Sequence, residues 1–330
     1  MLRTLFKLFV LAILTAGAWL AWVLLVPYGP TIEKFVLLGP GSSTRQIALD
    51  LHSAGIVRSV PAFLLLHYSQ GERILKAGEY RFDHPATAFE VYDRLARGDV
   101  VTHTVVVPEG FSLYEIAGAI EAAGLATRDQ FVKVASSETA LISDLDPGAT
   151  SLEGYLFPDT YQFSRVQSPR DLAAAMVRRF RQEAHSLGIA SDARRIVTLA
   201  SIVEKETSVP EERPLVAGVY TNRLRRNMAL AADPTVVYAA QLAGRYRGAI
   251  YKSDLEFDSP YNTYRYAGLP PGPIANPGRA ALEAALEPAA TDYYYFVSDN
   301  HGAHRFARTP QEHARNVAAY RRAVAQEGSR

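Results

Sequence analysis

The sequence predicts an α+β protein with one N-terminal membrane-spanning helix, a small α+β module and a larger mixed α+β domain. Three features of the chain lead to this prediction: an uncharged run near its start, an internal strand-turn-helix repeat, and a later region where helical patterns alternate with aromatic loops. The chain has 330 residues, which corresponds to about two domains at roughly 150 residues each.

The composition excludes several classes of function. With 35 basic and 34 acidic residues the formal charge is +1, so no basic face predicts a nucleic-acid partner. The chain has no cysteine, which rules out disulfides, thiolate nucleophiles and cysteine metal sites. A hydrophobic content of 48% is enough for an ordinary core.

The uncharged run, Leu8–Val26, has 19 residues and approaches the roughly 20 that a helix needs to cross a bilayer. Arg3 and Lys7 precede it, and no basic cluster follows closely. The positive-inside rule therefore predicts a cytoplasmic tail at residues 1–7 and places the chain after the helix on the opposite side of the membrane. The alternative is a cleaved signal peptide, but the run is long for one and ends in LLVPYGP, without a small-x-small site.

The repeat relates Val36–Val57 to Val105–Ala126 at an offset of 69 residues. Each copy predicts a short strand, a turn, a Ser/Thr-capped helix and a glycine stop. We therefore predict a small α+β module over residues 28–126. Its units resemble the LysM peptidoglycan-binding fold, in which a helix pair packs on a two-stranded sheet. The alternative is a coincidental similarity between common strand-turn-helix units.

A connector is predicted at residues 127–150 because its second half is a polar, hinge-like stretch, and the larger domain at 151–330. In that domain we expect a helix from Pro169 to about Gly188, with Asp192 capping the next one. Near the C-terminus the pattern predicts a hairpin and a last helix capped by Thr309.

The stretch ARRIVTLASIVEKET predicts a helix whose apolar stripe includes Ile196 and Val203. Glu204 and Glu206 lie at opposite edges of this stripe, and Lys205 points to solvent. A carboxyl group that is partly desolvated in this way has a raised pKa and can donate a proton near neutral pH. The alternative role for Glu204 is a helix-end charge paired with an arginine.

A second candidate region is the Pro- and Gly-rich segment Tyr261–Gly278, which predicts a stiff loop because its prolines disfavour helix and central strand. Aromatic faces and amide donors suit a sugar chain, although the loop could also be purely structural. Its candidate binding residues are Tyr261, Asn262, Tyr264 and Asn276. Asp233, before a proline, is expected to cap a helix.

Several strings occur in order along the chain: LEGYLFPDTYQF, ASIVEKET, VYTNRL, DPTVVYA, YNTYRYAGLPPGPIANPG and YYYFVSDNHGAHRF. Together they resemble the endolytic murein transglycosylase family, also called YceG-like, from the anchor to the last helix. The resemblance implies a single-pass inner-membrane protein with a LysM-like region and a periplasmic catalytic domain at 151–330. It implies that Glu204, the first glutamate of VEKET, is the catalytic acid.

The activity implied is lytic cleavage of the β-1,4 bond between N-acetylmuramic acid (MurNAc) and N-acetylglucosamine in nascent strands, which leaves 1,6-anhydro-MurNAc ends and terminates elongation. One carboxyl group can serve both steps, whereas hydrolases commonly use two, about 5 Å or 6.5–9.5 Å apart. Candidate assistants are Glu153, Asp159, Glu206 and Asp233. No cofactor or metal is predicted; the partners expected are glycan strands and peptidoglycan synthases, including penicillin-binding proteins.

Three alternatives stay open. A muramidase would hydrolyse the same bond, and a glycan-binding scaffold would not cut it. A pyridoxal-phosphate lyase using Lys205 is disfavoured because this side chain is predicted to face solvent and no phosphate cradle is evident.

The topology yields a first prediction. A reporter that works only outside the cytoplasm should be active when fused after Arg330, because Arg3 and Lys7 hold the N-terminus in the cytoplasm. Its activity is compared with that of a cytoplasm-only reporter fused at the same position. Activity of the cytoplasmic reporter alone would contradict both the topology and the glycan substrate.

Overall fold

The structure, a computed structural model, describes residues 2–190 and 192–327, which form two compact units. The first unit contains the chain up to Thr104 and the segment Gln162–Ser168. The second contains Val105–Tyr161 and the chain from Pro169 onward. The predicted mixed α+β class is confirmed.

The first helix, α1 (Leu2–Leu25), is apolar and long enough to cross a membrane. It begins before Leu8, so the residues predicted as a tail continue the helix. Its mean hydropathy is 2.4 over the most apolar stretch, of which 6% is buried. An apolar surface of this length needs a lipid or protein environment, which agrees with the predicted membrane anchor.

The first unit continues with β1 (Lys34–Leu38), α2 (Thr44–Ser53), α3 (Val60–Ser69), β2 (Gly78–Phe82) and α4 (Ala88–Arg97). The two strands pair antiparallel, with Val36 opposite Tyr80. Val36, Tyr80 and Leu51 of α2 belong to one buried cluster. A two-stranded sheet carrying a helix pair is the arrangement expected for this region, and its identity as a glycan-binding module stays a prediction.

The strands β3 (His103–Val106) and β4 (Thr160–Phe163) pair with each other, and the division between the units falls within both. The second copy of the repeat, Val105–Ala126, therefore lies in the second unit. That unit contains α5 (Leu113–Ala122), α6 (Arg128–Ser137), α7 (Pro169–Ser186), α8 (Ala193–Glu206), α9 (Arg213–Arg225), α10 (Asp233–Leu242), α11 (Lys252–Leu255), α12 (Arg279–Leu286), β5 (Tyr295–Ser298), β6 (His304–Ala307) and α13 (Pro310–Glu327). The predicted connector, residues 127–150, contains α6.

Helix α8 is the centre of the second unit and packs against α9, α10 and α12. The sequence predicted one apolar stripe, but every residue from Val197 to Val203 is buried. The two hydroxyls in this stretch are small, and Ser201 Oγ donates to Thr198 O and accepts from Ile274 N. A helix surrounded by other helices buries its whole circumference.

Two of the predicted helix caps differ in the structure. Asp192 precedes α8, but its side chain makes no cap hydrogen bond and pairs with Arg195 instead. Asp233 lies in the first turn of α10 after the extended residue Ala232, so it is not the N-cap. The predicted cap at Thr309 is confirmed by a 3.2 Å bond from Glu312 N to its hydroxyl.

Gly154 yields a stability prediction. Its φ of +88° is left-handed, and an added Cβ would lie 2.5 Å from the Pro273 side chain and 2.8 Å from that of Val197. Gly154→Ala should therefore combine backbone strain of about 1–2 kcal/mol with an overpacking cost of about 1–3 kcal/mol. Chemical denaturation measures the loss of unfolding free energy.

Gly188→Ala is the matched control, because Gly188 has a φ of +71° but no atom near the position of its missing Cβ. It should show the strain alone. Equal losses of unfolding free energy in the two variants would contradict the overpacking cost predicted for Gly154→Ala.

Candidate active site

The last turn of α8 places Glu204 where the buried helix meets two loops. Its side chain is 5% exposed. One carboxyl oxygen, Oε1, accepts from Arg213 Nη2 at 2.7 Å, and Oε2 accepts from Gly278 N at 2.9 Å. The carboxyl group is thus both desolvated and fixed in orientation.

The pKa of Glu204 is raised above its usual range. Burial is the main cause, because it disfavours the charged form, and the nearby charge of Glu109 adds to it. The Gly278 N–H, Arg213 and Lys205 act in the opposite direction. A carboxyl group with this balance can hold a proton and also be stabilised once the proton has left, as an acid–base catalyst requires.

Glu109, in the loop that follows β3, is a site residue that the sequence did not reveal. Its Oε2 lies 3.4 Å from Arg213 Nη2, the same nitrogen that binds Glu204. The next residue, Gly110, is fixed by a bond from its N to Asn276 O at 2.9 Å and from Lys205 Nζ to its O at 3.1 Å. Lys205 is exposed as predicted, yet its amine fixes this loop.

Asn276 connects the loops around Glu204. It is fully buried; its Nδ2 donates to Phe111 O and to Glu153 Oε1, both at 2.9 Å, and its Oδ1 accepts from Leu156 N at 2.8 Å. Asn276 is two residues before Gly278, so its bonds fix the position of the Gly278 N–H that donates to Glu204. Asn276 was predicted to bind substrate, but its amide is occupied by protein partners.

Glu153 is likewise buried within the domain, with 2% exposure. Besides Asn276 it accepts from Leu113 N, at the start of α5, and from Tyr238 OH at 3.2 Å. Burial raises its pKa to about 8, although these donors favour the charged form. The Asn276 amide joins Glu153 to the loop whose Gly278 N–H binds Glu204, which gives Glu153 a supporting position.

Glu206 and Asp233 form a second polar group beside Tyr220 and Tyr264. Glu206 Oε1 accepts from Tyr220 OH at 2.7 Å, and Asp233 Oδ1 accepts from Tyr264 OH at 2.5 Å. Burial raises the pKa of Glu206 to about 7, and the charge of Asp233 contributes in the same direction. Three predicted site residues, Glu206, Asp233 and Tyr264, therefore lie together. Their hydrogen bonds are separate from those of Glu204.

The other candidates have structural contacts. The Asn262 amide is fully buried and donates to Leu255 O and Phe257 O. The ring of Tyr261 packs 5.0 Å from that of Tyr238. Asp159 accepts from Arg179 Nε at 2.7 Å. The predicted irregular loop over 261–278 is confirmed, and of its four candidate residues Tyr264 is the exposed one, at 39%.

A cleft of about 730 Å³ lies on another face of α9, lined by Gly218, Asn222 and Arg225 and by the segment 288–293. Arg213 starts the same helix but does not line this cleft. At 100° per residue, Gly218 and Asn222 are about 140° and 180° around the helix from Arg213. This cleft and the buried carboxyl of Glu204 are therefore separate features.

Comparison with known proteins shows the family to which the chain belongs. The sequence model of the YceG-like family matches residues 36–319. A protein of Bacillus subtilis named endolytic murein transglycosylase is 33% identical over 302 residues, which cover 85% of this chain and 82% of that protein. The protein of the same name from Streptococcus pneumoniae D39 is 31% identical, over 94% of this chain but 63% of its own length.

The chain is also similar to a crystal structure of a YceG-like protein from Listeria monocytogenes. The two share 31% sequence identity with a TM-score of 0.57, over 87% of this chain and 99% of that one. The likeness therefore extends to the fold of both units.

The raised pKa of Glu206 yields a stability prediction. Its pKa rises from 4.5 to about 7 on folding, so between these pH values the unfolded chain loses the proton while the folded chain keeps it. The folded state is therefore progressively disfavoured as the pH rises through this range. Glu206→Gln should remove this penalty, which is up to about 3 kcal/mol. Unfolding free energies at pH 4.5 and 7.5 measure it.

Glu211→Gln, at an exposed carboxylate, is the control and should leave the pH dependence of the wild type unchanged. A Glu206→Gln variant whose stability follows the wild type across this pH range would contradict the buried position of Glu206.

Proposed function

Because the chain belongs to the YceG-like family, we propose that it is an endolytic murein transglycosylase, an enzyme of the lyase class that cuts the glycan strands of peptidoglycan. The observation that carries this proposal is the buried carboxyl of Glu204, fixed between the Arg213 guanidinium and the Gly278 N–H. The names of the relatives from Bacillus and Streptococcus support the substrate.

The bond cut is the β-1,4 bond between MurNAc and N-acetylglucosamine. Protonated Glu204 gives its proton to the glycosidic oxygen as the bond from this oxygen to the MurNAc anomeric carbon breaks. The carboxylate that remains is stabilised by Arg213 and the Gly278 N–H, which already contact its two oxygens. These donors need no rearrangement at the moment of charge formation, which favours catalysis.

The second step returns the proton to Glu204. The 6-hydroxyl oxygen of the same MurNAc attacks the anomeric carbon, and its proton passes to the Glu204 carboxylate. The product is a 1,6-anhydro-MurNAc end, and the enzyme regains its starting protonation state. Because the attacking hydroxyl belongs to the substrate, no second carboxylate is required to activate water.

The chain would act close to the membrane on newly made glycan. Helix α1 supports an anchor in the inner membrane, with Arg3 and Lys7 on the cytoplasmic side and the chain after α1 in the periplasm. At this position the enzyme terminates strand elongation and lies within reach of peptidoglycan synthases and penicillin-binding proteins. The LysM-like region would hold the glycan strand.

The central prediction concerns Glu204→Gln, which keeps the shape of the side chain and removes its titrating proton. Release of 1,6-anhydro-ended fragments should fall by roughly 10³- to 10⁴-fold, the upper range for acid–base catalysis, because one group serves both steps. Mass spectrometry of fragments released from isolated glycan strands measures the loss, and circular dichroism checks the fold.

Glu206→Gln is the matched control, at the same helix end but in a separate hydrogen-bonded group, and should lose far less activity. Normal product from a folded Glu204→Gln protein would disprove the mechanism. Reducing ends without the anhydro ring from the wild type would identify a muramidase, and no cleavage by the wild type would favour a scaffold.

A further inference from the structure

We infer that Glu109 is a second functional carboxylate of this site, a positioning residue that acts on Glu204 through the Arg213 guanidinium that both contact. The inference rests on the proposed function, since it concerns the proton that Glu204 is proposed to transfer. Glu109 lies in the loop after β3, next to Gly110.

The first observation is the shared nitrogen. Arg213 Nη2 lies 2.7 Å from Glu204 Oε1 and 3.4 Å from Glu109 Oε2, so these two oxygens are at most the sum of the two distances, 6.1 Å, apart. Retaining glycosidases hold their two carboxyl groups about 5–5.5 Å apart, with the sugar between them. Here the guanidinium contacts both, so Glu109 acts through Arg213 and not as a nucleophile.

The second observation is the close approach of Glu109 to Gly278. A Cβ at Gly278 would lie 1.9 Å from Glu109 Oε1, so this carboxylate fills the space that any side chain would need. The N–H of the same glycine donates to Glu204 Oε2. The Glu109 carboxylate is therefore held over the backbone that orients Glu204.

The third observation is the difference in exposure between the three side chains. Glu109 is 48% exposed, Arg213 10% and Glu204 5%. Arg213 Nε is also buried, and within the described part of the chain it has no hydrogen-bond acceptor. The guanidinium thus has an unused donor, and its Nη2 group is shared between a buried and an accessible carboxylate.

The charges of the cluster explain what Glu109 contributes. Arg213 carries one positive charge against two carboxylates, so protonation of Glu204 leaves a neutral Arg213–Glu109 pair. Lys205 brings a further positive charge, but its amine is bound to Gly110 O and its side chain is exposed, where water screens it. With Glu109 neutralised, Arg213 would pair with Glu204 alone and lower the pKa of the Glu204 carboxyl.

The test is the pH profile of fragment release by Glu109→Gln. Glu204 must be protonated at the start of the reaction, so a lower pKa moves the alkaline limb of the profile to lower pH. We expect a loss of roughly three- to tenfold on the alkaline limb of the wild-type profile, and this loss should shrink to less than about twofold as the pH decreases and Glu204 becomes protonated in both proteins. Glu109→Asp, which keeps the charge, should restore part of the activity at high pH.

Glu283→Gln is the matched control. Glu283 is 51% exposed and pairs with Arg279 at 2.8 Å, so it resembles Glu109 in exposure and in its arginine partner. Its profile should overlay that of the wild type. An equal loss by Glu109→Gln at all pH values would show that Glu109 only supports the structure, and would overturn the inference.

A titration without substrate separates this inference from the proposed function. Carbon-13 NMR follows the Glu204 carboxyl, assigned by its disappearance in Glu204→Gln. We expect its pKa to be lower in Glu109→Gln than in the wild type, whether or not the wild type cuts glycan. An unchanged Glu204 pKa would overturn the role of Glu109, while failure of the wild type to release fragments would overturn the proposed function alone.

Discussion

The buried side-chain amide of Asn276 is the interaction on which the rest of the site depends. It binds Phe111, Glu153 and Leu156, which belong to two segments that are far from each other and from Asn276 in sequence. An amide left unpaired at this depth would cost about 1–3 kcal/mol, so the segments have one favourable joint arrangement. That arrangement brings Gly278 to Glu204, and the bond from Gly110 N to Asn276 O holds Glu109 nearby.

Burial acts in the same way on three glutamates of the second unit, but its consequences differ between Glu153 and Glu204. Glu153, Glu204 and Glu206 all have raised pKa values because burial disfavours their charge. Glu153 is enclosed by donors from α5, α10 and a loop, and its role is to connect them. Glu204 meets a shared arginine and an accessible second carboxylate, and there the same desolvation supports chemistry. Perturbed carboxyls therefore mark both packing and function.

Much of the second unit could be predicted from the sequence. The helical period of the apolar residues predicted α8 and placed Glu204 at the edge of its apolar stripe, because this pattern is local in sequence. The ordered motifs identified the family, because short motifs can be compared directly between sequences. The all-round burial of α8 could not be predicted, since it depends on which helices pack around it. Glu109 was missed for the same reason, because nothing in VPEG indicates that it meets Arg213. Asn276 was predicted as a candidate binding residue, but the sequence around it does not reveal that its hydrogen-bond partners are protein groups.

The hydrogen-bonded partners at the site are far apart along the chain, and this affects the stage of folding at which the site becomes active. Asn276 and Phe111 are 165 residues apart, and contacts of this range close late in folding because their loop-closure entropy must first be overcome. Helix α8, with its local hydrogen bonds, can form early, whereas its terminal glutamate acquires its partners only when nearly the whole domain has assembled. A chain delivered unfolded across a membrane would therefore stay inert during its maturation. The completion of the fold would then itself set the time at which the site becomes active.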